Sequence, residues 1–170
     1  QKLEINKLNI KARNLDRVIQ LFNRTNQFNL NGSKYNKNNF IEILRNKKNI
    51  YYYGSASDRI GSEGLISVLG LCCDGAKITV LDYILSCRVF GRYIEQSMLL
   101  PLFNIALNKK MDIYFNFRDT ERNKVINKFL AQITKESFYL NLKNIKNLYY
   151  KYESLLISKS IDQEIFKYVN

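Results

Sequence analysis

The residues best suited to chemistry lie between Ser86 and Glu95, in the stretch SCRVFGRYIE. The apolar residues before it predict a strand and the apolar stripe after it predicts a helix, so it forms a strand-to-helix turn. A helix N-terminus presents unpaired N–H groups and the positive end of the helix dipole, and both favour a bound phosphate. Gly91 would let the backbone approach a ligand closely, and Arg88 and Arg92 add positive charge. The pattern therefore predicts an anion site, with an ordinary turn carrying surface arginines as the alternative.

Cys87 is the residue in this turn that is suited to thioester chemistry. The thiolate is the reactive form of cysteine, and a helix N-terminus flanked by arginines favours it. The alternative is a buried cysteine that packs at the end of the strand as a small apolar residue. The chain contains no histidine, which excludes Ser-His-Asp and Cys-His arrangements formed by this chain alone.

The other two cysteines, Cys72 and Cys73, are adjacent, which is not the usual arrangement of a disulfide, and the cysteine spacing does not fit a zinc site. We therefore expect reduced cysteines and no metal. The start of the sequence has no signal-peptide pattern, and no apolar stretch approaches the length of a membrane span. The sequence thus predicts a cytoplasmic protein without a membrane partner.

The chain carries 27 Lys and Arg residues against 15 Asp and Glu residues, for a net charge of +12. Such a balance can indicate a nucleic-acid partner, but the basic residues are scattered along the sequence. The abundance of Asn, Lys, Ile and Tyr is also what an AT-rich genome would encode. We expect no nucleic-acid partner. A moderate positive field still favours anionic ligands, such as phosphates or an acidic carrier protein.

The elements that hold these residues are predicted from hydrophobic periodicity and turn residues. Helices are predicted over 14–24, 38–46, 93–108 and 120–133, and strands over 49–57, 65–72, 77–85, 111–117 and 138–142. Antiparallel strands followed by a strand–helix–strand–helix–strand run predict an α+β sandwich. We divide the chain into a helical lead-in over 1–48 packed on the domain, a core over 49–142, and a tail over 143–170 whose structure the pattern does not predict.

Two polar segments are predicted to contribute substrate contacts to the same site. They comprise Asn26, Gln27 and Asn29 after the first helix, and Asp58, Arg59, Gly61 and Gly64 in a turn facing Cys87. The first group either binds ligand hydroxyls or caps the end of the helix. The second group either contacts a ligand or forms a buried network with Arg92 or with Glu95, which we also count among the substrate contacts.

The segment Arg88–Tyr93 resembles the pyrophosphate loop of GNAT-fold acyltransferases, which reads Arg/Gln-x-x-Gly-x-Gly/Ala. The resemblance implies a site for coenzyme A or phosphopantetheine formed by Arg88, Gly91, Arg92 and Asn123. Within it, Asn123 matches the position that contacts the coenzyme arm. Tyr93 replaces the final Gly or Ala and would crowd the diphosphate, and Leu130 stands where the family usually places a tyrosine that protonates the leaving thiolate. These departures argue against ordinary acetyl transfer.

Four motifs, in the same order, resemble a longer signature, that of FkbH-like proteins. They are RVIQLFNRTNQFNL over 17–30, DRIGSEGLI over 58–66, SCRVFGR followed by Glu95, and TERN over 120–123. The resemblance implies a C-terminal GNAT-like domain, with a mostly antiparallel central sheet flanked by helices, that follows an N-terminal HAD-type domain. Members load a glyceryl unit onto the phosphopantetheine thiol of an acyl carrier protein.

The resemblance thus implies an acyltransferase-like domain that helps to transfer a glyceryl or related acyl unit. Cys87 would be its catalytic residue, and the acyl carrier protein and the HAD-type domain would be its partners. The sequence contains no Asp-x-Asp-x-Thr motif, so phosphatase chemistry would lie upstream of Gln1 or be absent. Two alternatives stay open: a non-catalytic domain that binds the carrier protein, and a free-standing GNAT N-acetyltransferase.

Overall fold

Seven strands and six helices make up the part of the chain that the structure, a computed structural model, describes: residues 2–57, 61–159 and 162–163. The strands are β1 (Lys2–Lys7), β2 (Asn49–Ser57), β3 (Ser62–Asp74), β4 (Lys77–Leu85), β5 (Asp112–Phe115), β6 (Tyr139–Leu140) and β7 (Asp162–Gln163). The helices are α1 (Leu15–Arg24), α2 (Lys37–Arg45), α3 (Ile94–Ser97), α4 (Leu99–Lys109), α5 (Lys124–Thr134) and α6 (Leu142–Ser158). The described strands form one mixed sheet in the order β6-β5-β4-β3-β2-β1-β7.

Most neighbouring strands of the sheet run antiparallel. β4 and β5 are parallel, as are β1 and β7, and every other described pair is antiparallel. The prediction of an α+β fold with a mostly antiparallel central sheet flanked by helices is therefore confirmed. No helix among residues 2–57 and 61–159 is both long and apolar enough to span a lipid bilayer.

The sheet separates two hydrophobic cores, because successive side chains on a strand point to opposite faces. On one face, α1 and α2 bury Val18, Phe22 and Phe40 against the sheet. On the other face, the later helices bury a larger core, in which Phe103 of α4 stacks on Tyr152 of α6. α1 is amphipathic, so the side of the helix away from its core is polar and exposed.

A bulge at Leu81 redirects the second half of β4. Val80 pairs with Leu71 and Asp82 pairs with Gly70, so Leu81 is an extra residue without a counterpart on β3. The pairing of β4 with β5 also ends at Val80. The edge of β4 from Leu81 onward is therefore left without β5 as a partner.

Tyr51, Gly70 and Asp82 are neighbours across three adjacent strands. The Tyr51 ring lies over Gly70, and its hydroxyl donates a 2.6 Å hydrogen bond to the Asp82 carboxylate, which also accepts one from Tyr35 at 3.0 Å. Burial raises the pKa of Asp82 and the pKa values of both tyrosines. Only a residue without a Cβ leaves room for the Tyr51 ring to reach Asp82.

The structure differs from the sequence prediction mainly at the two ends of the chain and around α3. The sequence does not predict β1, whose alternation is short, or α6, whose buried residues Ile145, Tyr152 and Leu156 are sparse. The single helix predicted over 93–108 is two helices that meet at Met98. The helix predicted over 120–133 begins only at Lys124, because the residues before it form the loop that follows β5.

Replacing Gly70 with alanine is expected to destabilise the fold, because the added Cβ would overlap the Tyr51 ring. Overpacking of this kind costs about 1–3 kcal/mol, and urea denaturation would measure a comparable fall in the free energy of unfolding. Gly61→Ala is the matched control, since a Cβ there meets no described atom within 4 Å. Equal stability of the two variants would contradict this account of the Tyr51 contact.

Candidate functional site

The chain's own segment Phe28–Leu30 pairs with the edge of β4 that β5 leaves open. The Leu30 N–H donates to the Tyr83 carbonyl at 3.0 Å, and the Leu85 N–H donates to the Phe28 carbonyl at 3.1 Å. Asn29 forms the antiparallel bridge between these two hydrogen bonds, opposite Ile84. The segment therefore takes the position of a strand beside the C-terminal half of β4.

Two buried asparagines fix this segment. Asn29 donates to two nearby backbone carbonyls and accepts from the Gly32 N–H at 2.9 Å. Asn123 donates to the Asn29 and Arg118 carbonyls, both at 2.9 Å, and accepts from the Thr120 N–H at 3.0 Å. Both side chains are fully buried. Asn29 therefore shapes the loop after α1, and the side chain of Asn123, for which a coenzyme contact is predicted, binds this loop.

Lys34 holds the end of α1 beside the same segment. Its ammonium donates to the Phe22 and Thr25 carbonyls at 2.8 and 2.9 Å and to the side-chain oxygen of Asn26 at 3.0 Å. The last carbonyls of a helix lack intrahelical partners, and a lysine there satisfies them. Burial of the ammonium lowers the pKa of Lys34. Lys34 thus attaches the loop that follows the segment to the end of the helix.

The turn that follows β4 uses its own backbone amides. Cys87 begins a short 3-10 turn, Cys87–Val89, and α3 begins only at Ile94, so Cys87 does not lie at the N-terminus of that helix as predicted. The N–H groups of residues 89, 90 and 92 donate to carbonyls within the turn. The Gly91 N–H donates to the Glu95 carboxylate at 2.9 Å. The turn therefore does not present these N–H groups to an external anion.

Glu95 and Tyr93 close this turn from its helical side. Glu95, for which a substrate contact is predicted, is buried, and one of its carboxylate oxygens accepts from the Gly91 N–H. Tyr93 has a φ of 63°, in the left-handed region that disfavours residues with a Cβ. Its ring packs against the core and lies 5.9 Å from the Lys159 ammonium. The position that the resemblance assigns to Gly or Ala thus keeps a glycine-like backbone but carries a packed ring.

An open groove of about 1010 Å³ lies next to the segment, where the start of β3 meets the end of β4. α1 and its N-cap residue contribute one wall, formed by residues at helical spacing: Asn14, Arg17, Gln20, Leu21 and Arg24. The strands contribute Tyr53, Ser55, Leu65 and Leu85. The turn after β4 contributes Ser86, Cys87, Arg88 and Phe90. The strand residues of the lining are therefore a mixture of apolar and polar side chains, and the helix residues are mostly polar.

The groove is basic. Arg17, Arg24 and Arg88 line it, and no Asp or Glu does so in the part of the chain that the structure describes. Within that part, neither Arg17 nor Arg24 forms an ion pair, whereas Asp16 on the same helix pairs with Lys37 at 2.9 Å. The charge of the lining therefore suits an anionic ligand.

The groove brings together some of the predicted site residues and not others. Its lining includes Asn26, Gln27, Gly64, Cys87 and Arg88. It does not include Asn29, Gly61, Gly91, Arg92, Glu95 or Asn123. Asp58 and Arg59 lie outside the described residues. Cys87 is exposed, so the alternative of a buried cysteine is wrong.

Sequence reasoning missed the wall formed by α1. Arg17, Gln20 and Arg24 lie on the polar face of a helix that the sequence does predict, and their spacing was the available signal. A polar helix face usually contacts only solvent. The spacing alone therefore could not show that this face lines a groove.

Comparison with known proteins shows similarity in structure but not in sequence. No protein-family model matches the chain, and a search of curated proteins finds no match. Among solved structures, the PaiA N-acetyltransferase from Thermoplasma acidophilum in complex with coenzyme A has a TM-score of 0.59 at 14% identity, covering 78% of this chain and 89% of that one. The ribosomal-protein-S18-alanine N-acetyltransferase from Escherichia coli has a TM-score of 0.56 at 8% identity, covering 76% of each chain. The chain has the GNAT fold.

The GNAT fold confirms the predicted architecture. A ribosomal-protein-alanine N-acetyltransferase from Brucella melitensis agrees, with a TM-score of 0.58 at 11% identity over 77% of this chain and 89% of that one. At these identities the similarity shows the fold alone. Nothing in the comparisons links the chain to FkbH-like proteins or to a HAD-type domain.

Coenzyme A bound as the GNAT resemblance implies would meet groups that the chain already uses. The edge of β4 beside the Cys87 turn is paired with Phe28–Leu30, and Asn123 is hydrogen-bonded to that segment. The Gly91 N–H, which would face the diphosphate, donates to Glu95. The groove, in contrast, is open and is lined by Cys87 and Arg88.

Replacing Asn123 with alanine is expected to destabilise the chain, because the buried hydrogen bond to the Asn29 carbonyl and the partly buried one to the Arg118 carbonyl would be lost. Unsatisfied groups of this kind cost about 1–3 kcal/mol, which urea denaturation would measure as a fall in the free energy of unfolding. Gln27→Ala is the matched control, an exposed amide directly before the segment, and is expected to change stability by less than about 0.5 kcal/mol. Weaker coenzyme A binding in Asn123→Ala at unchanged stability would contradict this structural role.

Proposed function

We propose that this chain is an acyltransferase domain that handles a pantetheine thioester in the groove between α1 and the adjoining ends of β3 and β4. The observation that carries the proposal is the position of Cys87, an exposed thiol on the wall of a basic groove in a GNAT-fold chain. A thiol is a nucleophile suited to a thioester carbonyl. The arginines of the groove suit the phosphate that such ligands carry.

The proposed reaction begins as an exchange between two thiols. The Cys87 sulfur attacks the thioester carbonyl, the bond from the carbonyl carbon to the pantetheine sulfur breaks, and the released thiol takes the proton that Cys87 loses. A thiol, amine or hydroxyl of the acceptor then attacks the acyl group on Cys87 and returns a proton to its sulfur. Each step replaces one acyl bond with another, so it consumes no oxidant or reductant.

The thioester has two possible sources, coenzyme A and the phosphopantetheine arm of an acyl carrier protein. The structural neighbours are N-acetyltransferases, one of them in complex with coenzyme A, and they support a free-standing acetyltransferase. The four FkbH-like motifs support the carrier arm, a glyceryl or related acyl group, and a HAD-type partner domain. Both sources share the pantetheine thioester, and the fold comparison supports the acetyltransferase more directly.

A second candidate is a domain that binds the carrier arm without catalysis. It is favoured by the lining of the groove, because the described part of that lining contains no carboxylate and the chain contains no histidine. These side chains are the commonest general bases. In this case the groove would bind the carrier arm, and the acyl group would remain attached to the arm.

The proposal predicts acylation of Cys87. The chain is incubated separately with acetyl-coenzyme A and with an acetylated acyl carrier protein, and mass spectrometry of the intact chain and of its peptides locates the acyl group. Because Cys87 is the exposed thiol of the groove, we expect a hydroxylamine-sensitive acyl group on this residue. We expect no such product with Cys87→Ala.

The matched control replaces Cys72 and Cys73 with alanine, because these thiols lie in β3 outside the groove lining. This variant is expected to be acylated like the unchanged chain. Acylation by acetyl-coenzyme A alone supports the free-standing acetyltransferase, and acylation by the carrier protein alone supports the carrier-linked function. Carrier binding without acylation supports the second candidate, and acylation spread equally over the cysteines contradicts a role for Cys87.

A further inference from the structure

The core fixes which face of α1 the groove receives. Val18 and Phe22 are fully buried beneath the helix, so the rotation of α1 about its axis is set by packing. Arg17, Gln20 and Arg24 lie three or four residues apart on another face, and all three line the groove. These side chains are therefore held along one wall, and they do not extend from independent parts of the surface.

The charges on this wall have no acidic partner among the described residues. The Arg17 guanidinium donates to the Gln20 side-chain oxygen at 3.5 Å, and Arg24 forms no hydrogen bond or ion pair within the described part of the chain. The acidic residue of the helix, Asp16, is paired with Lys37 outside the groove. Two guanidinium groups are thus available along one wall, and Arg88 lines the same groove.

The chemistry of this wall favours a phosphate group that carries two negative charges. A guanidinium presents several donors in a plane and binds two phosphate oxygens at once. A phosphate monoester carries nearly two negative charges at neutral pH and offers three acceptor oxygens. The two arginines supply two positive charges, and their N–H groups together with the side-chain amide of Gln20 supply enough donors for three oxygens. A carboxylate carries one charge and would leave one arginine unmatched.

We infer that Arg17, Gln20 and Arg24 form a phosphate-binding subsite of the groove. The inference rests on the proposed function, because the subsite would bind the phosphate of the ligand whose thioester reaches Cys87. In coenzyme A that phosphate belongs to a diphosphate with two charges, and in a carrier arm it is a phosphodiester with one charge, so the subsite favours coenzyme A or a small phosphorylated acyl donor. The apolar part of the ligand would contact the apolar lining, which includes Leu65 and Phe90. The subsite differs from the turn after β4, whose Gly91 N–H the chain itself uses.

Calorimetry with the full chain in reducing buffer tests the subsite. The probes are phosphopantetheine and pantetheine, and glycerol phosphate and glycerol, none of which carries an acyl group. We expect phosphopantetheine to bind about tenfold or more tightly than pantetheine, as charge-assisted hydrogen bonds provide. Arg17→Gln and Arg24→Gln are each expected to weaken phosphopantetheine binding about tenfold and to leave pantetheine binding unchanged.

Arg13→Gln is the matched control, because it removes the same charge from an exposed residue outside the groove lining. We expect it to change the affinity by less than about twofold at physiological salt. An equal loss in Arg13→Gln, or no preference for the phosphorylated probes, would overturn the subsite. Arginine-dependent binding of glycerol phosphate alone supports the subsite and assigns its phosphate to a small substrate. Phosphate preference without acylation of Cys87 supports the subsite and contradicts the proposed function.

Discussion

The antiparallel pairing of Phe28–Leu30 with the second half of β4 is the constraint on which the site depends. The bulge at Leu81 and the end of the β5 pairing would otherwise leave the polar backbone groups of a buried strand without partners. The segment satisfies these groups, and Asn29 and Asn123 hold the segment in turn. Lys34 extends the same set of hydrogen bonds to the end of α1.

This constraint decides which surfaces of the GNAT fold are open in this chain. The edge of β4 is paired with the segment, and the Gly91 N–H donates to Glu95. These backbone groups are therefore already hydrogen-bonded within the chain. The groove near the segment is open, and the exposed Cys87 lies on its wall. The chain thus shares a backbone architecture with acetyltransferases at 8% and 14% identity, while its own side chains determine where a ligand can bind.

The large positive charge matters here through its arrangement more than its amount. Most of the +12 net charge is spread along the sequence, and several acidic residues are paired locally, as Asp16 is with Lys37 and Asp74 is with Lys48. The fold selects Arg17, Arg24 and Arg88 for one concave surface. A concave surface with charges of one sign raises the local concentration of counter-ions, which an equal number of scattered charges does not do.

The sequence by itself determined the local elements and their order. The strands predicted over 49–57 and 77–85 have the same bounds as β2 and β4 in the structure. The helix predicted over 14–24 agrees with α1 to within one residue. The sequence also predicted a site for chemistry at the Cys87 turn, but left open whether Cys87 is buried. It gave weak signals for β1 and α6, because short alternation and sparse apolar residues are common outside regular structure.

Only the tertiary structure decided which polar groups the chain uses for itself. Asn123 and Asn29 are 94 residues apart, and nothing in either local pattern shows that they form a hydrogen bond. The same holds for Arg17 and Arg24, which the sequence presents as ordinary surface charges and the packing of α1 turns into a groove wall. The physical reason is that periodicity reports local backbone preference and the buried face, whereas hydrogen-bond partners and concave surfaces depend on how distant elements pack together.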